Sequence, residues 1–350
     1  MTLRYEQNTI NSTNSSNPLA FPQTNSFPAN NLTPNSTPTM SKLLVVLGAT
    51  GHQGTSLINH VFADPTLSSI YKIRAITRDT TSAKSVALAS KVQVVQADIT
   101  SRDSITAALK DAHTIFYTTF PSWEADKDRD HQYTSGTMVA DVAVAQGAQY
   151  IIYSTLPAIK TISQGKYTKV TVFDVKAEIE DYIRTLPIKS AFVSLGSFME
   201  NYEEQFFLKP QKNDAGEYIL KRNHSLDTLW PLLDATSDTG KFVGAILAAP
   251  AEFEGKRLHC AAKIYTYAEV IALLEKSSGK KIVFQQVSSE EFAKGIPVLQ
   301  EVFVEASKWG EEFGYFGPGQ EELVNEAVKV VRGKLTTFEE FLERQPFTLE

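Results

Sequence analysis

From Lys42 onward the chain alternates short apolar runs with amphipathic segments, a pattern that predicts strands and helices in turn. The apolar runs at 43–47, 72–77, 92–96, 114–118, 150–154 and 190–195 read as strands. Between them, apolar positions recur at helical spacing over 54–62, 101–110, 136–146 and 175–184. The polar stretch 98–103 supplies capping residues for the second of these helices. Strand and helix taking turns in this way indicates βαβ units and a parallel sheet. The expected fold class is therefore α/β, a Rossmann-type doubly wound parallel sheet, with ligands at the carboxyl ends of its strands.

After about Met199 the alternation breaks down. Strands are expected at 218–221 and 257–262, and helices at 267–276, 289–294, 298–309, 321–332 and 337–344. These segments suggest a smaller, mainly helical C-terminal lobe over the ligand edge. The segment 234–249 reads as a helix capped by Ser237 or Asp238 that returns to the sheet, which makes the boundary discontinuous. Expected domains are thus 41–200 with the return segment 234–249, and 201–350 for the lobe.

Residues 1–40 follow a different pattern: 25 of them are Ser, Thr, Asn or Pro, and only Arg4 and Glu6 are charged. Such a stretch cannot bury a core and reads as a disordered tail, with neither a secretory h-region nor the arginines of a mitochondrial presequence. The sequons at Asn11, Asn14, Asn31 and Asn35 then count as composition, and Met40 offers an alternative start. A net charge of −6 argues against direct nucleic-acid binding, and no apolar run has the length of a membrane span. The single cysteine, Cys260, excludes an internal disulfide, which fits a cytoplasmic or nuclear location. The six histidines lack metal-ligand spacing, so no metal site is expected.

The most specific motif is Gly48-Ala49-Thr50-Gly51-His52-Gln53-Gly54, which follows the first strand and opens the first helix. Gly48 permits a tight turn, Gly51 admits a pyrophosphate to the backbone N–H groups, and Gly54 allows close helix-to-strand packing. At the end of the second strand stands Arg78, where a guanidinium accommodates a 2′-phosphate, while Asp79 falls one place late for a ribose contact. This favours NADP and leaves NAD open. Asp98 closes the third strand and bounds an adenine pocket, caps the next helix, or does both. Phe120, after the fourth strand, is read either as a cofactor contact or as core.

Together with Ile76-Thr77-Arg78, Val94-Val95-Gln96-Ala97-Asp98, Phe173-Asp174-Val175-Lys176 and Ser197-Phe198-Met199-Glu200-Asn201, this loop resembles the NmrA-like family from about Lys42 to the C-terminus. That family looks like an atypical branch of the short-chain dehydrogenases, in which some members are redox-sensing regulators and others NADPH-dependent reductases. The resemblance implies pyrophosphate at Gly48 to Gly54, a 2′-phosphate at Arg78, and adenine at Asp98 and Ile99. It also implies ribose contacts from Thr119 and Phe120, the nicotinamide ribose at Lys176, and cover of the nicotinamide by Phe198, Met199, Glu200 and Asn201. A protein partner such as a transcription factor is implied for the regulators.

Ordinary short-chain dehydrogenases place Tyr and Lys at i and i+4 so that the lysine lowers the tyrosine pKa. None of the 13 tyrosines here has lysine four residues later, and Val172 stands four before Lys176. Ser154, at the end of the fifth strand, has no tyrosine partner at that spacing. Two readings therefore stay open. The preferred one is a dinucleotide-sensing regulator acting through a protein partner; the other is an NADPH-dependent reductase of a small carbonyl or quinone-like substrate, assisted by Lys176.

Overall fold

The computed structural model describes residues 41–121, 128–205 and 208–349. The stretch 1–40, read from composition as a tail, lies outside them. The first half runs β1 (Lys42–Leu47), α1 (His52–Ala63), α2 (Pro65–Ile70), β2 (Tyr71–Thr77), α3 (Ala83–Ala89), β3 (Gln93–Gln96), α4 (Arg102–Ala108), β4 (Thr114–Tyr117), α5 (Asp128–Ala145), β5 (Tyr150–Thr155), α6 (Ile159–Ile162), α7 (Thr171–Thr185) and β6 (Lys189–Leu195). It continues through β7 (Ser197–Phe198), α8 (Asn201–Glu204), β8 (Gln211–Lys212), β9 (Tyr218–Arg222), β10 (Leu229–Leu233), α9 (Ala235–Ala248), β11 (Arg257–Cys260) and β12 (Lys263–Thr266). The chain closes with α10 (Tyr267–Ser278), β13 (Ile282–Gln286), α11 (Ser289–Lys294), α12 (Gln300–Phe313), α13 (Gln320–Val330) and α14 (Phe338–Arg344).

Seven parallel strands form the main sheet in the order β11-β6-β5-β4-β1-β2-β3. Side chains alternate across it. Leu44 and Val46 of β1 join one core with Leu57 and Ile58 of α1 and Phe242 and Ile246 of α9. Val45 and Leu47 face the other, with Ile105 of α4, Val139 of α5 and Ile179 of α7. The order reverses between β1 and β4, which leaves a crevice at the carboxyl ends of those strands.

The C-terminal part is helical, with two three-stranded sheets, β12-β10-β7 and β13-β9-β8. The apolar pattern does not predict β10, β12 or β13. Pro231 lies inside β10, and a proline there normally argues against a strand. It is tolerated because pairing with β7 begins only at Leu232, beyond the missing N–H. The expected α9 is present, but its cap is Asp234, whose carboxylate accepts from Ser237 N at 2.8 Å, rather than Ser237 or Asp238. Asp238 is instead buried and accepts from Thr336 N. Helix α12 starts at Gln300 rather than 298, because Leu299 before it is left-handed (φ 52°).

Helices α1 and α9 pack at backbone distance. A Cβ on Gly240 would sit 2.7 Å from His60 Cβ and 2.8 Å from Ser56 C, and one on Gly244 would meet the His60 ring at 2.5 Å. Gly240 and Gly244, one turn apart on α9, thus face Ser56 and His60, one turn apart on α1. Burial, the largest influence on His60, holds its pKa below the ordinary histidine value. Backbone cannot move aside as a flexible side chain can, so Gly240→Ala should destabilise the protein by about 1–3 kcal/mol. Urea denaturation checks this; a variant as stable as the wild type would contradict the close packing.

Candidate functional site

The strand after Leu47 ends in a turn that only glycine adopts readily: Gly48 has φ +71°. The turn is closed by Gly51 N donating to Gly48 O at 3.0 Å and is tied to the sheet by Ala49 N donating to Ile76 O at 3.1 Å. Gly54 then lies against it, since a Cβ there would be 2.7 Å from Ala49 Cα. Gly51 is different. Its φ is −81°, and an added Cβ would only touch Gly48 O at 3.4 Å, so the protein itself gives no reason for a glycine. Gly51 is also the N-cap of α1, with no side-chain cap bond to the first-turn N–H groups among the described residues and no acidic residue in that turn. An uncapped 12-residue helix whose N-terminus opens on a cavity leaves backbone donors and the positive end of its dipole for an anion.

That cavity measures about 710 Å³ and is walled by the carboxyl ends of β1 to β4. Gly48, Thr50, Gly51, Arg78, Ile99 and Phe120 line it, whereas Ala49, Gly54 and Asp98 do not. Ala49 is fully buried and Gly54 buried, in keeping with packing roles. Phe120 is 54 % exposed, so it is not a core residue; its ring lies over Gly48. Asp98 turns to Thr100, accepting from its N–H and hydroxyl at 2.8 Å each, and these two bonds hold its carboxyl below the usual range. It does not cap α4. Ser101 does, accepting from Ser104 N.

Arg78 makes no ion pair or hydrogen bond among the described residues. Asp79 is bonded first by the Thr81 hydroxyl and then by its N–H, which hold the carboxyl low and turn it from its neighbour. A second cation, Lys84, and Ser82 line the same end of the cavity. Both lie in the first turn region of α3, a short helix whose weak apolar pattern escapes sequence reading. His131 and Ser135 of α5 also reach this cavity and were equally unmarked.

Across the segment Thr118 to Pro121 lies a second cavity of about 410 Å³. Thr118, Phe120 and Pro121 line both. Lys176 projects from α7 into the second, where its Nζ donates to Thr118 Oγ1 (3.0 Å), Thr119 O (2.6 Å) and Thr119 Oγ1 (3.1 Å). Gln53, Thr119, Phe198 and Asn201 line this cavity as well. Gln53 Oε1 is buried there without a hydrogen-bond partner among the described residues, a group that an incoming donor would satisfy. The remaining wall is largely aromatic, with Phe173, Tyr202, Trp230, Tyr267, Trp309 and Tyr315.

Three further expected contacts fall elsewhere. Met199 is fully buried in the core of the C-terminal part, beside Tyr202 and Leu232. Glu200 is buried and accepts from Ala235 N, Thr236 N and Thr236 Oγ1 at 3.2, 2.8 and 2.7 Å, which fixes the start of α9. His52 points from the loop toward the same place, with Nδ1 2.7 Å from Thr236 Oγ1 and Nε2 3.1 Å from Glu204. The short spacing Phe198 to Asn201 hides this split. Residues 198 and 201 face the cavity while 199 and 200 turn inward.

Fold and crevice define an α/β protein of the Rossmann type. The sequence profile of the NmrA-like family matches residues 40–342, and the chain belongs to that family. It is 26% identical over 322 residues to an NmrA-like family domain-containing protein of Dictyostelium discoideum, covering 89% of this chain and all of that one. An NmrA-like family domain-containing oxidoreductase of Penicillium ochrochloron is 27% identical over 260 residues, 70% of this chain and 76% of its own. Among solved structures, NmrA, a negative transcriptional regulator in complex with NADP, superposes with a TM-score of 0.70 at 22% identity, covering 86% of this chain and 94% of that one. A quinone oxidoreductase of Escherichia coli complexed with NADPH gives 0.67 at 22% identity, covering 86% and 99%. Both share the fold.

Of the loop's three glycines, Gly51 should respond to substitution differently from Gly48 and Gly54. Gly51→Val is expected to keep the wild-type melting temperature and lose measurable dinucleotide binding by calorimetry, because its side chain occupies only the cavity. Undiminished affinity would remove Gly51 from the site.

Proposed function

We propose that this protein is an NADP(H)-dependent reductase, with the dinucleotide in the first cavity and a small organic substrate in the second. The observation that carries this reading is the substrate-sized apolar space beside Lys176, which adjoins the first cavity and shares Thr118, Phe120 and Pro121 with it. The uncapped α1 terminus and Gly51 suit the pyrophosphate, and Arg78 with Lys84 suit a 2′-phosphate over a bare ribose. When bound, the reduced cofactor supplies hydride.

The chain's own residues then exclude water and hold charge. The aromatic walls keep the second cavity of low polarity, which strengthens any charge interaction inside it. Lys176 is held by three oxygens of Thr118 and Thr119, so its ammonium is positioned in advance at the cavity wall, where its charge would favour negative charge developing on a carbonyl oxygen. Tyr202, Tyr267 and Tyr315 also line the cavity. Burial pushes the Tyr202 and Tyr315 phenols upward, which suits them to walls rather than to proton transfer.

A second reading, a dinucleotide sensor acting through a protein partner, is favoured by the missing Tyr and Lys at i and i+4 and by the likeness to NmrA. It uses the same cofactor site and differs only in chemistry.

Arg78→Ala should weaken NADP about ten- to a hundredfold while leaving NAD nearly unchanged, since only NADP presents a charged group to a guanidinium fork. Calorimetry with both cofactors checks this, and equal losses would reject the role. For the reaction itself, NADPH oxidation with a panel of quinones and aromatic aldehydes should be measurable by stopped flow. Lys176→Ala should lower its rate by about a hundredfold or more, with cofactor still bound. Binding of NADPH without turnover on any of them would favour the sensor.

A further inference from the structure

We propose that the second cavity is built for an organic anion, a molecule with an aromatic body whose carboxylate is held by Arg222. The inference rests on the reading of this cavity as the seat of an organic ligand, and it narrows that ligand's chemistry.

Arg222, the last residue of β9, lines the cavity and is only 4% exposed. Its Nε donates to Tyr267 Oη, one Nη to Lys221 O and the other to Leu208 O, each at 2.7 Å. All three acceptors are neutral. Among the described residues no carboxylate pairs with it, and three bonds leave two of the guanidinium's five N–H donors, one on each Nη, without a partner. The rings of Tyr267 and Phe292, 5.6 and 5.9 Å from the guanidinium carbon, offer only partial compensation. A cation removed from water with no counter-charge is costly, and an entering carboxylate offers that charge with two oxygens matched to the fork.

Two neighbours make the place polar in a matching way. Ser307 of α12 lines the cavity, and its Oγ is buried without a hydrogen-bond partner among the described residues. His224, two residues past Arg222 and 2% exposed, has Nδ1 2.9 Å from Ser225 O. A carbonyl can only accept, so Nδ1 carries the proton and Nε2 keeps a lone pair for a ligand hydroxyl or N–H. The imidazole stacks on Trp230 at 5.9 Å and meets Tyr267 edge-on at 4.4 Å. Burial, its largest influence, lowers its pKa to about 4, so the ring adds no positive charge near neutrality. The other cation lining this cavity, Lys176, donates to three oxygens of Thr118 and Thr119, so the fork that matches a carboxylate is that of Arg222. Cofactor phosphates are not its partner, because Arg222 is absent from the wall of the first cavity.

The test compares 2-naphthoate with 2-naphthamide, which have the same shape but differ in charge, by calorimetry on the full chain with and without saturating NADP. Wild type should bind the carboxylate about tenfold or more tighter than the amide. Arg222→Gln should bring the two within about threefold, with the amide's affinity kept. Equal affinities in the wild type, no binding of either probe, or a preference that survives Arg222→Gln would each overturn the proposal. Should Arg222→Gln fail to fold, Arg222→Lys takes its place: loss of the fork should cut the preference at least about threefold, and an unchanged preference overturns it. The NADP titration in the same experiment stands apart. Failure to bind NADP with the anion preference intact would sink the cofactor assignment alone.

Discussion

Helix α1 is held at close contact on two sides, by Gly54 against the backbone of the turn after β1 and, from α9, by Gly240 against the Ser56 backbone and Gly244 against the His60 ring. The ligand edge inherits its position from these contacts. The N-terminus of α1 presents the loop donors to the first cavity, and the start of α9 bonds His52 through Thr236. Glu200 in turn fixes Thr236, so the loop is tied through two residues to the segment that walls the second cavity. A side chain placed between the helices would shift the loop as a unit.

The sheet was legible because its strands are short and apolar and because β1, β3, β4 and β5 are each followed by a helix of clear period, and the loop was legible because glycine spacing carries its own geometry. Arg78 was legible for the same local reason, as the residue that follows a strand. The C-terminal part was not. Its strands β10 and β12 are short, one contains Pro231, and both find partners only across long separations, as Leu229 with Thr266. Arg222, His224 and Ser307 come from β9, the loop after it and α12, so no local pattern groups them. Met199 and Glu200 show the opposite failure, because a contiguous motif suggested a shared role that alternate orientation divides.

The two cavities treat charge differently. At the first, Arg78 and Lys84 stand near solvent, where pairing with a ligand is screened and selective rather than strong. At the second, Arg222 is enclosed and His224 is kept neutral by burial, so the local field is set by Arg222 together with Lys176, whose ammonium is bonded to Thr118 and Thr119. Carboxylates near the first cavity are occupied by their own turns, Asp79 by Thr81 and Asp98 by Thr100, and do not compete for its cations.

Thr118, Phe120 and Pro121 form a partition with a cavity on each face, and its near end is pinned by Lys176. A ligand that settles against one face alters the wall met by a ligand on the other. Such linkage is reciprocal: whatever factor the first occupant applies to the affinity of the second, the second applies to the first. In either proposed reading the same partition would couple a substrate to its cofactor or an effector to a sensed dinucleotide.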